Sequence, residues 1–359
     1  MDLTNRWVTK RTAIIAAILL LAGGEVRAAS GTWNVDANGN WTDANWTPGP
    51  YPDGIGQSAS LTTNITADRV VTLNSSVNLG SLTIGDSGST YFTYTLTNTA
   101  AETLTLDADG AGGGVWITKK LGTGMKDTIT VPIILKGNLS VTNTSSTSGT
   151  ELSLNGVISE AGGKRSVTAR TGGTAGVITL NGANTYSGKT TLENGLLQFN
   201  SIKNVGGGAS ALGAPTNVVD GTITLGNGAN ACIFVYTGAG DTTDRILDLV
   251  GTTGTIQLRQ SGTGKLTYTS SFASSSGGGA KTLQLYAGGV LVAEIQGVIA
   301  DYGGVTTLTA VNANPSAGSS PGIWNLLGIN TYTGPTTIES GAALLINTLG
   351  NVSGGASSL

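Results

Sequence analysis

Histidine is absent from the 359-residue sequence, which removes much familiar catalytic machinery at once. Without an imidazole there is no Ser-His-Asp or Cys-His nucleophile, no His-ligated zinc, and no side chain that is ordinarily a base near neutral pH. Carboxylates remain as candidates. Asp107-Ala108-Asp109 on a strand would place two carboxyl groups on one face about 7 Å apart, a spacing within the broad range of glycosidase pairs. The run Gly110-Ala111-Gly112-Gly113-Gly114 follows at once, and Asp before such a run favours closing a strand into a turn. Asp241 and Asp244, around Thr242-Thr243, read the same way.

Metal and nucleotide motifs fall short of their templates. Asp36-x-Asn38-x-Asn40 has the oxygen spacing that opens an EF-hand loop, but its glycine is Gly39 rather than the residue after Asn40, and no Glu stands at the twelfth position. The Gly-Gly-x-Gly-x-Asp nonapeptide of calcium-bound β-rolls is missing. Gly182 to Thr190 resembles a phosphate loop with five residues between its glycines where four are needed. A second copy of the same block carries Pro335 in place of Lys189, so the block is structural punctuation. The expectation is therefore no metal, no nucleotide and no cofactor. Cys232, the only cysteine, sits in the apolar run Ala231 to Val235 and reads as a buried small hydrophobe.

One binding alternative survives. Trp33, Trp41 and Trp46 lie among Asn, Asp, Gly and Pro, and exposed indole faces would suit a sugar ring. The competing reading makes them the lid of a core, so that residues 29–69 form an aromatic N-terminal cap.

The elements that would carry these residues are strands. Glycine occurs 56 times, about twice the usual share of ~7%, while charged residues make up 11% against a typical ~25%. The glycines have no three-residue period, and there are only 8 prolines, so collagen is excluded. Gly, Thr, Ser and Asn are poor helix formers. From Val70 onward, runs such as Leu79 to Ile84, Ile129 to Leu135, Ile223-Thr224-Leu225 and Leu283-Gln284-Leu285 alternate apolar with polar, the period of strands that bury one face.

Internal repetition selects among all-β architectures. Asn184-Thr185-Tyr186-Ser187-Gly188-Lys189-Thr190-Thr191-Leu192-Glu193-Asn194-Gly195 recurs as Asn330-Thr331-Tyr332-Thr333-Gly334-Pro335-Thr336-Thr337-Ile338-Glu339-Ser340-Gly341. Upstream, Asn155-Gly156-Val157-Ile158 answers Gln296-Gly297-Val298-Ile299. Two related blocks, about 131–216 and 282–359, thus sit in one all-β, parallel β-solenoid over residues 70–359, each coil burying its apolar face on the next. Asn184 and Asn330 are expected to turn a corner, through a left-handed conformation or a side-chain-to-backbone turn bond. Tyr186 and Tyr332 are expected to line one wall, with Gly188 and Gly334 in the same repeat frame. The second copy stops at Leu359, aligned with Leu212, which reads as a fragment of a longer protein.

Residues 1–28 have the form of a secretory signal peptide: Arg6, Lys10 and Arg11, then an apolar run from Ala13 to Ala22, with cleavage expected after Ala28. The remaining chain has 14 Lys and Arg against 19 Asp and Glu, a net charge of −5 with no basic block, unsuited to nucleic acid.

The Trp33 to Trp46 opening, Leu79-Gly80-Ser81-Leu82-Thr83-Ile84 and above all the twin Asn-Thr-Tyr-x-Gly-x-Thr-Thr blocks resemble the autotransporter-associated β-strand repeat proteins of Gram-negative bacteria. The resemblance covers most of the chain after residue 28. It implies a right-handed parallel β-helix, exported and displayed at the cell surface. The weakly charged Thr, Ser and Asn exterior suits adhesion, cell-to-cell contact or a structural coat without catalysis or cofactor, toward surface polysaccharide or other cells. Contact with the outer membrane would run only through a C-terminal translocator or anchor that this sequence does not contain.

Overall fold

The computed structural model describes residues 30–349 other than 89–91, 121–124, 146, 174, 252, 277, 289–291 and 313–321. The expected signal segment and the terminal Gly354 to Leu359 lie outside the described residues. Alternating short strands fold as a parallel β-solenoid whose coils build three faces. The first face runs from Ser58–Leu61 through Ser81–Ile84, Val115–Lys119, Leu139–Asn143 and Val167–Thr171 to Leu247–Leu249. The second runs from Arg69–Leu73 to Thr336–Ile338. The third has two parts, four strands from Val77–Leu79 to Ile158–Glu160 and five from Asp241–Thr243 to Ala343–Ile346. Among the described residues the one helix is the single turn Val218–Gly221, and none is long and apolar enough to cross a membrane.

Register follows from the period of two. On the first face Ala59, Leu82, Ile117, Val141, Ala169, Leu192, Leu225 and Leu249 are successive partners, and all are buried. On the second, Leu152, Ile178, Leu197, Phe234, Leu258 and Leu285 form the matching ladder. Successive rungs are 23 residues apart from Ala169 to Leu192 and 35 from Leu82 to Ile117, so loops absorb the difference while the strands stay aligned. The glycine content has a steric cause at the corners. A Cβ on Gly182 would sit 2.3 Å from the carbonyl oxygen of Gly156, and one on Gly328 2.2 Å from that of Gly297. The corner of one coil rests directly on the backbone of the last.

At the N-terminal end, Gly31–Trp33 pairs antiparallel with Trp46–Thr47 and parallel with Ser58–Leu61, and Gly39–Asn40 pairs with Arg69–Leu73. The three tryptophans meet there. Trp46 packs edge-on to Trp33 at 5.4 Å and against Trp41 at 4.6 Å, and the indoles of Trp41 and Trp46 donate to the carbonyls of Pro52 and Trp41.

Ile117 lies mid-ladder with a rung on either side. Truncation to alanine opens a cavity that a stacked sheet closes poorly, so I117A should lose about 3 kcal/mol. A denaturation midpoint equal to the parent's would show that the ladder does not carry the load.

Candidate functional site

The twin blocks form the same clasp in two places. Buried Asn184 accepts from the amide of Ile158 at 2.8 Å and donates to the carbonyl of Ala211 at 2.7 Å. Asn330 accepts from the amide of Ile299 at 2.8 Å. The residue after each Asn returns a backbone bond to the same neighbour: Thr185 to the carbonyl of Ile158 and Thr331 to that of Ile299, each at 2.9 Å. The Asn side chain thus bridges coils 26 or 31 residues apart. A left-handed Asn is excluded, since positive φ among the described residues occurs only at glycine.

The rest of each block tightens the same joint. Tyr186 and Tyr332 place their hydroxyls 2.8 and 2.7 Å from Thr190 and Thr336, each within its own coil. Tyr186 is fully buried, which pushes its phenol up to about 12, whereas Tyr332 is half-buried. Glu160 of the preceding coil accepts from the Ser187 hydroxyl at 2.5 Å and from the amides of Ser187 and Arg165. Asp301 does the same for Thr333 and the amide of Thr306. Gly188 and Gly334 let the backbone come close: a Cβ would stand 2.3 and 2.2 Å from the carbonyl oxygens of Arg165 and Thr306.

The carboxylates examined for chemistry are held by the backbone. Asp107 is buried, accepts from the amide of Gly110 at 2.7 Å and faces Lys136 at 3.4 Å. Asp109 accepts from the amides of Gly113 and Ala111, which lower its pKa. A general acid needs the opposite shift. Asp241 binds the amide of Ile202, the Tyr236 hydroxyl and Lys203, while Asp244 binds the amide of Val205. Asp36 takes the Thr66 amide and hydroxyl and Arg69 at 2.7 Å, and Asn38 takes the amide of Val70, so the calcium spacing is filled by protein donors. Among the described residues, no three His, Cys, Asp or Glu side chains group to hold a metal. Burial pushes the Cys232 thiol up to about 12, and its sulfur lies 3.4 Å from the carbonyl of Leu192.

The sugar-stacking reading of the tryptophan cluster is corrected by its burial. Trp33, Trp41 and Trp46 are 0%, 0% and 4% exposed, because they close the first coil and stack on one another. A pocket of about 230 Å³ beside Pro50 and Tyr51 reaches only the margin of Trp46.

Sequence reasoning passed over three features. Trp116 is 48% exposed on the outer side of the first face, and the alternation Val115 in, Trp116 out, Ile117 in places it there. Lys119 and Asp127 form a buried ion pair, where burial raises the carboxyl while Lys119 and the Tyr94 amide oppose the rise. Arg245 is buried, donates to the carbonyls of Gly221 and Leu212 at 2.6 and 2.7 Å, and is lowered to about 10 by burial. Arg245 reaches carbonyls 24 and 33 residues away, while Lys119 and Asp127 pair across eight residues from one face to the next.

The fold and the twin clasps define a repeat protein built as a parallel β-solenoid. A family model described as passenger-associated-transport-repeat matches residues 175–199 and 319–344, the stretches that contain the two clasps. The chain is 34% identical over 139 residues to the adhesin BmaC autotransporter of Brucella suis biovar 1 (strain 1330). That alignment takes in 38% of this chain and 4% of the relative's length. No solved structure matches. The chain thus carries two stretches similar to passenger-associated-transport repeats and is similar, over part of its length, to an autotransporter adhesin.

Asn184→Leu would leave the Ile158 amide and the Ala211 carbonyl buried without partners, at about 1–3 kcal/mol each. A lower melting temperature and faster proteolysis are expected; parental values for both would remove the clasp role. Asp36 is lowered to about 2, first by Arg69 and then by Thr66. A carboxyl depressed in the folded state stabilises above its unfolded pKa, and that contribution is lost as pH falls from about 4 toward 2. Asp36→Asn should therefore unfold more easily than the parent at pH 7, with the gap shrinking steadily as pH falls from about 4 to 2. A gap as wide at pH 2 as at pH 7 would contradict this assignment.

Proposed function

We propose that the chain is an exported, surface-displayed structural and adhesive passenger segment that performs no catalysis. The observation that carries this reading is the use of its polar groups. Asp36, Asp107, Asp109, Glu160, Asp241 and Asp301 are all spent on holding turns and neighbouring coils. Outside, the first face presents Ser58, Ser81, Trp116, Ser140, Thr168, Thr191 and Thr224 as one column, a hydrated and weakly charged surface. The signal-like opening at residues 1–28 supports export, and the adhesin relative supports the adhesive role.

The test couples the purified chain to fluorescent beads and counts attachment to bacterial and host-cell layers, with heat-denatured chain as control. Several-fold greater attachment by the folded chain is expected, with no release of reducing ends from polysaccharide substrates. Attachment equal to the control would remove the adhesive role. Release of reducing ends that disappears in a folded Asp107→Asn, Asp109→Asn double variant would install an enzyme in its place.

A further inference from the structure

We propose that the edge of the first face between Trp116 and Lys189 binds a uronate-containing polysaccharide, a proposal that deepens the adhesive reading above and rests on it. A cleft of about 320 Å³ lies here, bounded by Lys164, Arg165, Ser166 and Lys189, with Asn138 and Thr191 alongside. Asn138, Ser166 and Lys189 each precede a strand of the first face, and their carbonyls accept from Val115, Leu139 and Val167, so they form one row across three coils. Gly114 begins that row, beside Asn138. The Trp116 ring leans over Gly114, where a Cβ would meet it at 3.4 Å. The Arg165 guanidinium lies against Gly112 in the same turn, where a Cβ would meet it at 3.0 Å. An exposed indole and a guanidinium therefore border one glycine turn.

These groups suit a sugar acid. An indole face accepts the apolar face of a pyranose, a guanidinium receives a carboxylate through two parallel bonds, and Asn and Ser meet ring hydroxyls. Strands about 4.8 Å apart repeat such contacts along the axis, which favours an extended chain over an isolated sugar. Part of the positive charge is left for a ligand. The Lys189 side chain makes no hydrogen bond or close ion pair among the described residues and acts on Asp220 only through the electrostatic field, while Arg165 donates to the Gly162 carbonyl at 3.4 Å and its Nε is buried without a partner. Lys164 is paired at 2.6 Å with Asp220, the one acid lining the cleft. Nearby Glu160 and Asp109 accept from backbone amides.

The second clasp shows that the joint forms without the cations. Matching the bonds from Thr306 to Asp301 and from Leu308 to Pro335 with those from Arg165 to Glu160 and from Val167 to Lys189 puts Val305, Thr306 and Pro335 where the first copy has Lys164, Arg165 and Lys189. The joint is made both times; the positive cleft is made once.

The test measures retardation of the full chain in gels cast with polygalacturonate, with dextran or with fully methyl-esterified polygalacturonate, and follows tryptophan fluorescence on titration. Retardation by polygalacturonate alone is expected, weakened at least tenfold both in Trp116→Ala and in an Arg165→Gln, Lys189→Thr double variant, with fluorescence quenching lost in the first. Unfolding curves check that both variants fold. Absence of retardation, retardation unchanged in both folded variants, or equal retention by single-stranded DNA without dependence on Trp116 would each overturn the proposal. Bead attachment is scored separately. Attachment without polygalacturonate binding sinks this site and leaves the adhesive reading intact, while binding without attachment does the reverse.

Discussion

Nearly all the described strands of this protein satisfy their backbone hydrogen bonds on neighbouring coils rather than within a hairpin, and that requirement governs the rest. A parallel strand has no hairpin partner and must wait for the chain to come round again, here 19 residues later from Ile178 to Leu197 and 37 from Leu197 to Phe234. Once the ladder is made, inward side chains are forced into line, and columns such as Leu82, Ile117 and Val141 supply the burial that offsets the entropy of ordering so much chain. The corners must then approach as closely as the strands do. Glycine answers that need where one corner sits on another's carbonyl, as Gly182 does on Gly156.

Side chains do at the corners what the ladder does on the faces. A corner has backbone groups that no strand can pair, and buried groups left unpaired are costly. Asn184, Glu160 and Asp301 reach across to the next coil and take those bonds, and Asp241 does so for the loop around Ile202. This explains how a chain with only 11% charged residues pairs the backbone groups of its corners. It also explains why the acids are poor candidates for chemistry, since a carboxylate held by amides in its charged form is a weak proton donor.

The repeat separates structural from additional chemistry within one molecule. Both copies keep the Asn, the Tyr-Thr pair, the glycine and the acid on the previous coil, so these belong to the joint. Positions that differ between the copies are free of that duty, and Lys189 against Pro335 is the clearest of them. The outer columns of hydroxyls, interrupted by Trp116, likewise take no part in the core.

Strand identity, repeat frame and the absence of His-dependent chemistry were legible in the sequence because each is local or compositional: alternation in Leu79 to Ile84, the twin blocks, and a residue type that is missing. Asn184 was legible as a corner residue, yet its partners Ile158 and Ala211 were not, because which coils touch depends on loop lengths that no local pattern encodes. For the tryptophans, composition suited a lid and a sugar platform alike; only the packing of Trp33, Trp41 and Trp46 on one another over the first coil decided that their faces are covered. The placing of Trp116 and Arg165, 49 residues apart in sequence and two coils apart in the stack, on one glycine turn is tertiary for the same reason: stacking sets coils about 4.8 Å apart, whatever length of chain lies between.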